Sequence, residues 1–378
     1  MFNQRIKVLH VVHSLNIGGM ENGVVNLING SNSDYFYHEI CCIRKSGNAE
    51  SRLKRPIRIH EMEKRNGNDW RIIPKLAKVI REVKPDIVHT RNWGAADGII
   101  AGRLAGVPSI IHGEHGWNMD DPQGLNSRRR LMRKALSFAV SRYVAVSEDI
   151  RKWLIECVGV KDSKVLKILN GVDTEKFQPG VNPKFREQLG FSKNGLTIGT
   201  VGRLDPIKDQ RLLLEAFTLV SSSRKDLMLV IIGDGPERQN LESYRDSLHC
   251  RDRIRFLGER DDVDRVLRVL DIFVLPSKNE GTSNTILEAM ATGLPVIATA
   301  AGGNPELVSQ NRTGLLFPAG DLKGIVEALD FYLKDQGHRY DHGLNGRKEV
   351  EQRFSLGKMV NNYEELYKSF HSKSHRMA

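Results

Sequence analysis

The sequence predicts an α/β protein of two tandem doubly wound domains that face each other across a cleft. Short apolar runs rich in Val and Ile alternate with segments of helical periodicity, which is typical of parallel sheets covered by helices on both faces. The alternation ends near residue 175 and begins again near residue 196. A chain of 378 residues is also too long for one ordinary core and fits two domains of common size.

The first domain is predicted to span residues 1–175. Its strands are continuous apolar runs, as expected for parallel strands buried on both faces, and its helices have apolar residues three and four positions apart. The predicted strands are 6–15, 38–45, 84–91, 107–116 and 143–147, and the predicted helices are 21–30, 72–83, 95–106, 127–140 and 148–159.

The second domain is predicted to span residues 176–355 and repeats the pattern. Its strands are 196–204, 227–235, 254–260, 272–277, 295–303 and 313–321, and its helices are 210–222, 238–249, 263–270 and 285–293. Residues 356–378 follow as a separate C-terminal segment with an amphipathic helix. The pattern fixes no neighbour for this helix, and packing back on the first domain is one option.

Loops that follow strands are where function is expected, because doubly wound sheets bind ligands beyond the carboxyl ends of their strands. Two such domains can enclose a cleft in which a reaction is screened from water.

The charge is uneven along the chain. Residues 1–175 hold 28 Lys and Arg against 19 Asp and Glu, a net charge of +9, whereas the remainder holds 29 against 27, a net charge of +2. A basic first half favours anionic partners such as a membrane surface, a phosphorylated lipid or nucleic acid, with a solvated basic face as the alternative. The chain has no aromatic-rich basic patch of the kind that binds single strands, so nucleic acid is the less favoured partner.

The four cysteines form no CxxC pair and are expected to be reduced thiols of a cytosolic protein. The N-terminus has no apolar signal-peptide region, and no run reaches the ~18 apolar residues that a membrane span needs. A cytoplasmic protein is therefore expected, and attachment to the inner face of the cytoplasmic membrane is a further option.

Arg203 and Lys208 follow a predicted strand in the stretch GTVGRLDPIKDQ (199–210), and Gly202 ends that strand. Long cations such as these are seldom fully buried. Two cations in one loop at the carboxyl end of a strand suit a diphosphate, whose charge they would neutralise as it leaves. An ordinary polar loop is the alternative.

Two glutamates bracket a run of small residues in SKNEGTSNTILEAMATG (277–293). Glu280 is predicted in the loop, and Glu288 in the first turn of a helix that starts between 283 and 285. The amides from Gly281 onward, with the positive end of the helix dipole, would bind phosphate or sugar oxygens. The alternatives are a surface acid at Glu280 and a capping box from Thr285 to Glu288. The small polar residues of the run are Thr282, Ser283, Asn284 and Thr285.

Gly18 and Gly19 follow the first predicted strand. Paired glycines let the backbone approach a ligand closely, and the next helix offers its first amides to an anion. Glycine turns without a ligand are the alternative. The stretch is not GxGxxG, so the fingerprint of a nicotinamide dehydrogenase is absent.

His115 lies where a predicted strand of the first domain runs into the cleft, close to His112 and Glu114. A histidine there could act on a substrate hydroxyl or bind phosphate, and a hydrogen-bonding structural histidine is the alternative. Asp262 and Asp264 form a DxD pair that could hold a metal, but a helix is predicted to begin there. N-capping is the better account, and no metal site is predicted.

A basic amphipathic helix is predicted around residues 127–140, where cations alternate with Leu131, Met132, Leu136 and Phe138. We expect it to dock on anionic lipid, where a polyprenyl-diphosphate acceptor would be found. A solvent-facing basic helix is the alternative. The cations are Arg128, Arg129, Arg130, Arg133 and Lys134.

Taken together, these motifs resemble the retaining glycosyltransferases of family 4, which have the glycosyltransferase B fold. The pair Glu280 and Glu288 resembles the family's E-x7-E pattern, and GRLDPIKD (202–209) resembles its G-R-L-x-x-x-K-D stretch. HGEHGW (112–117) is similar to sugar transferases of bacterial exopolysaccharide clusters, including those that accompany exosortase systems. Further stretches in the family's order and spacing are GGMENGVVNL (18–27), NGVDTEKFQP (170–179), IIGDGPER (231–238), LGERDDVDRVLRVLDIFVLPS (257–277) and AGGNPELV (301–308).

The resemblance implies a nucleotide-sugar donor bound mainly in the second domain. Glu288 would hold the ribose hydroxyls, and Glu280 would lie near the transferred sugar. Arg203, Lys208 and the amides that start at Gly281 would hold the diphosphate. The base would lie near two loops, Gly233–Pro236, which includes Asp234, and Gly258–Asp261.

From the first domain, the resemblance implies that Gly18 and Gly19 approach the diphosphate and that His115 contacts the sugar. An acceptor hydroxyl would attack the anomeric carbon with retention while cations and amides stabilise the leaving diphosphate, so neither a metal nor a cofactor is expected. The acceptor would be a glycan or a polyprenyl-diphosphate-linked sugar.

Two rival functions remain at this point. A nucleotide-sugar 2-epimerase would share the fold and the substrate class but would consume its substrate without an acceptor. A basic nucleic-acid-binding protein is the non-enzymatic alternative, kept because of the charge of the first half.

Overall fold

A computed structural model describes residues 5–374, except 17, 66, 68, 118–120, 122, 193 and 194. The chain divides into two compact units. The first unit is Met1–Gly171 together with Leu356–Ala378, and the second unit is Val172–Ser355.

The first unit is built on a sheet of seven parallel strands within the described residues, in the order β3-β2-β1-β4-β5-β6-β7. Its central strands are buried on both faces, which explains their continuous apolar runs. The strands are β1 (Ile6–Val12), β2 (Phe36–Cys42), β3 (Ile59–Glu61), β4 (Ile87–Arg91), β5 (Ser109–Glu114), β6 (Arg142–Ala145) and β7 (Val165–Lys167). The helices between them are α1 (Gly19–Gly30), α2 (Ile72–Val83), α3 (Asp97–Leu104), α4 (Ser127–Leu136) and α5 (Glu148–Lys152).

The second unit repeats this topology with six parallel strands among the described residues, in the order β10-β9-β8-β11-β12-β13. The strands are β8 (Thr197–Val201), β9 (Met228–Ile232), β10 (Ile254–Gly258), β11 (Ile272–Leu275), β12 (Val296–Thr299) and β13 (Gly314–Phe317). The helices are α6 (Pro183–Gln188), α7 (Gln210–Val220), α8 (Arg238–Asp246), α9 (Val263–Leu267), α10 (Asn284–Ala291), α11 (Asn304–Leu307), α12 (Leu322–Lys334) and α13 (Gln336–Arg353).

The last helix, α14 (Leu356–Ser374), returns to the first unit. Its apolar face, which includes Tyr363 and Tyr367, packs in one core with Val8 and Phe36 of the first sheet. The hydroxyl of Tyr367 also lies 2.8 Å from Nδ1 of the buried His89. A polar contact of this kind adds orientation to an interface that apolar burial alone would leave less specific.

The predicted fold class, an α/β protein with two doubly wound parallel sheets, is confirmed. The sequence analysis missed β3 and β7, which are edge strands of three residues each and carry exposed side chains, so their patterns are too short to read. It also placed no element in the region of α12 and α13. In α12 the helical spacing of buried residues such as Ile325, Leu329 and Tyr332 was a usable signal.

In the part of the chain that the structure describes, we find no helix with the length and apolar character that crossing a membrane requires.

Candidate functional site

Three glycines lie at the carboxyl ends of neighbouring strands in the second sheet. Gly202 follows β8, Gly233 follows β9, and Gly258 ends β10. The N–H of Gly202 donates to Ile232 O at 3.0 Å, and the N–H of Gly233 donates to Gly258 O at 2.8 Å, so these strand ends are tied together. Gly233 has a φ of +130°, and a Cβ there would collide with the carbonyl oxygen of Gly202. The loop therefore needs glycine at 233 on two counts.

The loops after β8 and β11 meet through Lys208 and Glu280. The ammonium of Lys208 lies 2.5 Å from Oε1 of Glu280, and the two side chains are 23% and 10% exposed. The backbone reinforces the contact, because the N–H of Lys278 donates to Ile207 O at 2.7 Å. Two predicted site residues thus come together at neighbouring strand ends, with the lysine charge compensated by the carboxylate.

Glu280 is also held by the loop after β12. The N–H of Gly303 donates to Glu280 O at 3.1 Å. Gly302 has a φ of +55°, and a Cβ on it would collide with the same carbonyl oxygen. The sequence analysis quoted this Gly-Gly pair but gave it no role. Its close approach to Glu280 is a role that the motif could have suggested.

Helix α10 begins at Asn284, inside the predicted range. Its N-cap is Ser283, whose hydroxyl accepts from the N–H of Ile286 at 3.3 Å and lies 3.1 Å from the hydroxyl of Thr285. The capping box from Thr285 to Glu288 is therefore wrong. Because Ser283 occupies the cap, Glu288 is the fifth residue of the helix and lies beyond its first turn.

Small polar residues form the start of α10 and the segment that precedes it. Gly281 and Ser283 are buried, whereas Thr282, Asn284 and Thr285 are half-buried. The half-buried residues line the start of a helix whose positive end favours negative charge.

Arg203 and Asp234 are more exposed than the other predicted residues of the second unit. The Arg203 side chain is 60% exposed, and its Nε is 3.9 Å from Asp205 Oδ2. Asp234 accepts from the N–H of Gly235 at 2.7 Å and pairs with Arg238 at 2.9 Å. Both contacts lower the pKa of Asp234, and the hydrogen bond from the Gly235 backbone has the larger effect. The structure does not bring Arg203 into the contact between Lys208 and Glu280.

The DxD pair is engaged by arginines. Asp262 occupies the N-cap position of α9, but its side chain makes no capping hydrogen bond. Instead its two carboxylate oxygens accept from Arg260 at 2.7 and 2.8 Å. The position was predicted correctly, whereas the capping role was wrong, because a bidentate arginine outcompetes a single amide.

In the first unit, Gly18 is the N-cap of α1 and Gly19 is its first residue. The carboxylate of Glu21 lies directly against Gly18, where a Cβ would collide with it. Burial raises the pKa of this carboxyl. An anion that approached Gly18 would meet the Glu21 side chain first, a neighbour that the sequence analysis did not consider.

His115 follows β5 and is half-buried. The backbone N–H of His115 donates to Asn92 Oδ1 at 2.7 Å. The ring Nε2 is buried and has no hydrogen-bond partner among the described residues. Burial, and then the charge of Arg91, lowers the pKa of His115 to about 3. The imidazole is therefore neutral near pH 7, and its buried Nε2 lies against Gly113.

Sequence reasoning missed a buried polar network formed by side chains of β1, β2 and β4. Arg91 Nη1 lies 3.0 Å from His10 Nδ1, and His10 Nε2 lies 2.9 Å from His38 Nδ1. His89 Nδ1 lies 3.4 Å from the same guanidinium. All four side chains are at most 3% exposed. The signal was present, because these residues fall inside predicted strands that are buried on both faces.

The predicted membrane role of Arg133 is wrong. Arg133 is only 4% exposed, its Nε donates to Glu114 Oε1 at 2.7 Å, and its guanidinium lies over the rings of Trp93 and Trp153. Burial would raise the pKa of Glu114, but Arg133 and His112 outweigh it and lower the value to about 2. A buried carboxylate thus holds this arginine inside the unit.

The rest of the basic helix faces outward. Arg128 and Lys134 are exposed, and Arg129 and Arg130 are half-buried. Of the four apolar residues that were expected to alternate with them, three are exposed, by 69% for Leu131, 44% for Met132 and 81% for Phe138. The fourth, Leu136, is half-buried and packs against the core.

Two family profiles match the chain. Residues 17–176 match Glycosyltransferase Family 4, and residues 181–349 match Glycosyl transferases group 1.

Two proteins with similar sequences are named as glycosyltransferases. The UDP-Gal:alpha-D-GlcNAc-diphosphoundecaprenol alpha-1,3-galactosyltransferase of Escherichia coli is 32% identical over 309 residues, which are 79% of this chain and 79% of that protein. The capsular polysaccharide biosynthesis glycosyltransferase CapM of Staphylococcus aureus is 28% identical over 80% of this chain and 82% of that protein.

Among solved structures, Anabaena Alr3699/HepE in complex with UDP-glucose superimposes with a TM-score of 0.84 at 22% identity, over 97% of this chain and all of that chain. At this identity the likeness concerns the fold.

Proposed function

This chain belongs to family 4 of the glycosyltransferases, with the glycosyltransferase B fold, and on that premise we propose the reaction it performs. It moves a sugar, with retention, from a nucleotide-diphosphate sugar to a hydroxyl of a glycan or lipid-linked acceptor in cell-surface polysaccharide synthesis. In support, the name of one relative gives a UDP-sugar donor and a lipid-linked acceptor, and the name of the other gives capsular polysaccharide biosynthesis.

The observation that carries the proposal is the contact between Lys208 and Glu280 beside the start of α10. An ammonium has three N–H donors, so Lys208 can bond Glu280 and still offer donors to a phosphate. In this proposal Lys208 and Arg203 hold the donor diphosphate together with the amides that start at Gly281. They stabilise the charge that develops on the leaving diphosphate, with no metal required.

The remaining predicted residues orient hydroxyls. Glu288 holds the ribose, and Glu280, fixed by Lys208, lies near the transferred sugar. His115 bonds a sugar hydroxyl. The low pKa of this histidine favours a hydrogen-bonding role over phosphate binding, because a neutral ring brings no positive charge.

The acceptor in this proposal is carried on a polyprenyl diphosphate at an anionic membrane surface. The name of the Escherichia coli relative specifies a diphosphoundecaprenol acceptor. Exposed cations at Arg128 and Lys134 next to exposed Leu131 and Phe138 suit the headgroup region of an anionic membrane, where apolar side chains insert and cations meet phosphates.

The epimerase alternative finds no support in the named relatives, which transfer sugars to acceptors. The nucleic-acid alternative finds none either. The excess of basic residues in the first half is accounted for by an anionic acceptor and an anionic surface.

A thermal-shift panel tests the donor half. The full chain is mixed with UDP-glucose, UDP-galactose, UDP-N-acetylglucosamine, GDP-mannose and, for contrast, NAD, each with and without a metal chelator. We expect a nucleotide sugar to raise Tm and the chelator to leave that shift unchanged, because a ligand of the native state stabilises it.

Glu288→Gln should lose most of the shift, because the amide can no longer accept two ribose hydroxyls. Glu327→Gln, an exposed acid on α12 with a side chain that is 67% exposed, is the matched control and should keep it. Stabilisation by NAD alone, or by no nucleotide sugar, would contradict the proposal. Product analysis that finds an epimerised nucleotide sugar without transfer would favour the epimerase.

A further inference from the structure

Three fully buried polar side chains form a cluster beside the loop that carries Glu280, and the proposed reaction gives them no role. They are Ser277, which lies just after β11, Thr299, which ends β12, and Asn304, which begins α11. Each is 0% exposed. Polar side chains seldom lie so deep unless hydrogen bonds hold them there, so the contacts of the cluster indicate what it does.

Thr299 connects β11 and β12 beyond the point where their backbone pairing ends. The last backbone pair of the two strands is Leu275 with Ala298. Beyond that pair, the hydroxyl of Thr299 donates to Ser277 O at 2.6 Å. This side chain therefore extends the connection between the strands into the loop that leads to Glu280.

Asn304 orients the Thr299 hydroxyl. Its side-chain Nδ2 donates to Thr299 O at 3.2 Å and to Thr299 Oγ1 at 3.3 Å. An amide nitrogen can only donate, so the hydroxyl accepts from Asn304 and its single hydrogen is left for Ser277. The direction of the chain of hydrogen bonds is therefore fixed, and bonds linked in this way strengthen one another.

Residues 299–304 hold the same loop at its other end as well. The N–H of Gly303 donates to Glu280 O at 3.1 Å. The N–H of Glu280 in turn donates to Asn279 Oδ1 at 2.8 Å. The backbone of Glu280 is thus bonded on both sides, and one segment of the chain fixes the carbonyl groups of both Ser277 and Glu280.

The cluster lowers the stability of the unit relative to an apolar filling. Ser277 Oγ and Asn304 Oδ1 are buried and have no hydrogen-bond partner among the described residues. A buried polar atom without a partner costs free energy that an apolar group of similar size would not. Departures of this kind from the most stable packing are expected where a fold places a functional group, and Glu280 is the predicted site residue that this cluster holds.

We propose that Thr299, oriented by Asn304, is a positioning residue that sets the place of Glu280 for the transfer step. The proposal deepens the proposed function and rests on it for the role of Glu280 near the transferred sugar. Thr299 does not contact the donor in this proposal. It fixes the backbone from Ser277 to Glu280, so that the carboxylate meets a sugar hydroxyl at one distance. A displacement of about 1 Å in such a site can lower the rate about a hundredfold.

Thr299→Val tests the proposal, because valine has the shape of threonine with a methyl group in place of the hydroxyl. The rate of nucleotide release is measured with the panel sugar that stabilises the chain, which is UDP-glucose, UDP-galactose, UDP-N-acetylglucosamine or GDP-mannose. We expect kcat to fall about ten- to a hundredfold. Calorimetric titration with the corresponding UDP or GDP should show an affinity within about twofold of wild type, because the free nucleotide lacks the sugar that Glu280 faces.

Thr197→Val is the matched control. Thr197 begins β8 at the opposite end of the same sheet, is also 0% exposed, and its hydroxyl has no hydrogen-bond partner among the described residues. This variant should keep the kcat of wild type. Thr299→Ser restores the hydroxyl but leaves out a methyl group, and it should recover most of the kcat. A loss caused by packing alone would persist in the serine variant.

A double variant shows whether Thr299 acts through Glu280. Thr299→Val should lower kcat much less in the Glu280→Gln background than in wild type, because the group that it places is already altered. The proposal is overturned if Thr299→Val keeps the kcat of wild type, if Thr299→Ser is as slow as Thr299→Val, or if the two single losses multiply in the double variant. An unchanged kcat in Glu280→Gln would also overturn it, while binding and transfer by wild type would still support the proposed function.

Hydrogen exchange gives a readout that does not depend on the donor. The amide of Gly303 should exchange about tenfold faster in Thr299→Val, because the loop that accepts its hydrogen bond opens more often. In Thr197→Val it should exchange at the rate of wild type. If no nucleotide sugar binds, the proposed function fails. Faster exchange in Thr299→Val would then still support the positioning of the loop, and unchanged exchange would overturn it.

Discussion

The two units arrange their first six strands in the same order but differ in what those strands bury. In β1, β2, β4 and β5 the buried polar residues include four histidines, one arginine and two glutamates. In β8–β13 the buried polar residues, among those the structure describes, are threonines. Topology therefore decides where the strand ends lie, while the side chains inside the sheet decide how strongly each unit depends on charge.

The loops at the carboxyl ends of the strands also differ between the two units. The second unit has glycines that let loops touch and one contact between Lys208 and Glu280. The first unit has an open edge lined by Arg44, Lys45 and Lys64, and a half-buried histidine, His115, after β5. The stability of the first unit, which buries charged and titratable side chains, should therefore depend more on charge than the stability of the second unit does. The following predictions test this contrast.

The largest expected effect comes from breaking the buried ion pair of the first unit. Arg133→Ala leaves the carboxylate of Glu114, which is 2% exposed, without its arginine. Removing one partner of a buried pair costs about 3–5 kcal/mol in the free energy of unfolding. Urea denaturation measures this loss.

The control for that prediction is Arg128→Ala, an exposed arginine on the same helix. It should change stability by less than about 0.5 kcal/mol. Equal losses of stability for the two variants would mean that the buried pair of Arg133 and Glu114 stabilises the unit no more than an exposed arginine does. The contrast between ionic and apolar interiors would then fail.

Acid should destabilise the first unit before the second. Burial, and then Arg91, lowers the pKa of His10 and of His89, and burial, then Arg55 and Arg91, lowers that of His38 to about 3. In the unfolded chain each would titrate near its ordinary pKa of about 6.5. Below that pH the unfolded state binds more protons than the folded state, so stability falls as the pH falls. The loss for three such histidines is about 4 kcal/mol at a pH of about 5.5.

The second unit should respond less. Burial lowers the pKa of His342 but raises the pKa of Asp209 and of Asp271, and a raised carboxyl pKa makes the folded state gain protons as the pH falls. Hydrogen exchange at neutral and mildly acidic pH follows the two units separately. Amides of β1, β2 and β4 should lose protection while those of β8, β9 and β11 keep it, and the reverse order would refute the contrast.

In the second unit the sensitive quantity is turnover rather than stability. Lys208→Ala should lower kcat by a factor that corresponds to about 2–4 kcal/mol, by analogy with the loss of one donor to a developing anion. Binding of UDP should weaken much less, because the charge that Lys208 meets is largest in the transition state. The rate of UDP release from the sugar donor that stabilises the chain measures kcat, and calorimetric titration with UDP measures its binding.

Lys278→Ala is the matched control for Lys208. Lys278 lies in the neighbouring loop, its side chain is 56% exposed, and it is paired with Asp209 at 3.6 Å. Its variant should keep the kcat of wild type. An unchanged kcat in Lys208→Ala would remove the lysine from the proposed reaction.

These contrasts also separate what the sequence could predict from what it could not. Lys208 and Glu280 follow strands that are neighbours, so the rule that carboxyl ends of parallel strands share an edge was enough to predict that their loops lie close. Ser283 as the cap was within reach too, because the loop offers several hydroxyl residues and the first apolar residue of the helix is Ile286.

The ionic interior was out of reach for a different reason. Periodicity predicts which face of a helix is covered, but it treats an arginine as solvent-facing, and Arg133 is buried because a strand 19 residues earlier places Glu114 against it. Long-range partners decide such positions, and one sequence without its fold does not reveal them.

The smallest expected effect concerns the outer surface of the first unit. If α4 and Phe138, two residues beyond its end, dock on anionic lipid, Arg128→Gln should weaken binding to vesicles of phosphatidylcholine and phosphatidylglycerol. The expected loss is about 1 kcal/mol, or roughly fivefold, the contribution of one cation near a charged surface. Arg251→Gln, with a side chain that is 61% exposed in the second unit, is the control and should not change the sedimented fraction. Phe138→Ser should weaken binding as well, because an aromatic ring that is 81% exposed in water would otherwise be buried among the headgroups. Wild-type protein that sediments as well with phosphatidylcholine alone as with the mixed vesicles would show that charge plays no part in membrane binding. An anionic acceptor would then be the remaining explanation for the basic first unit.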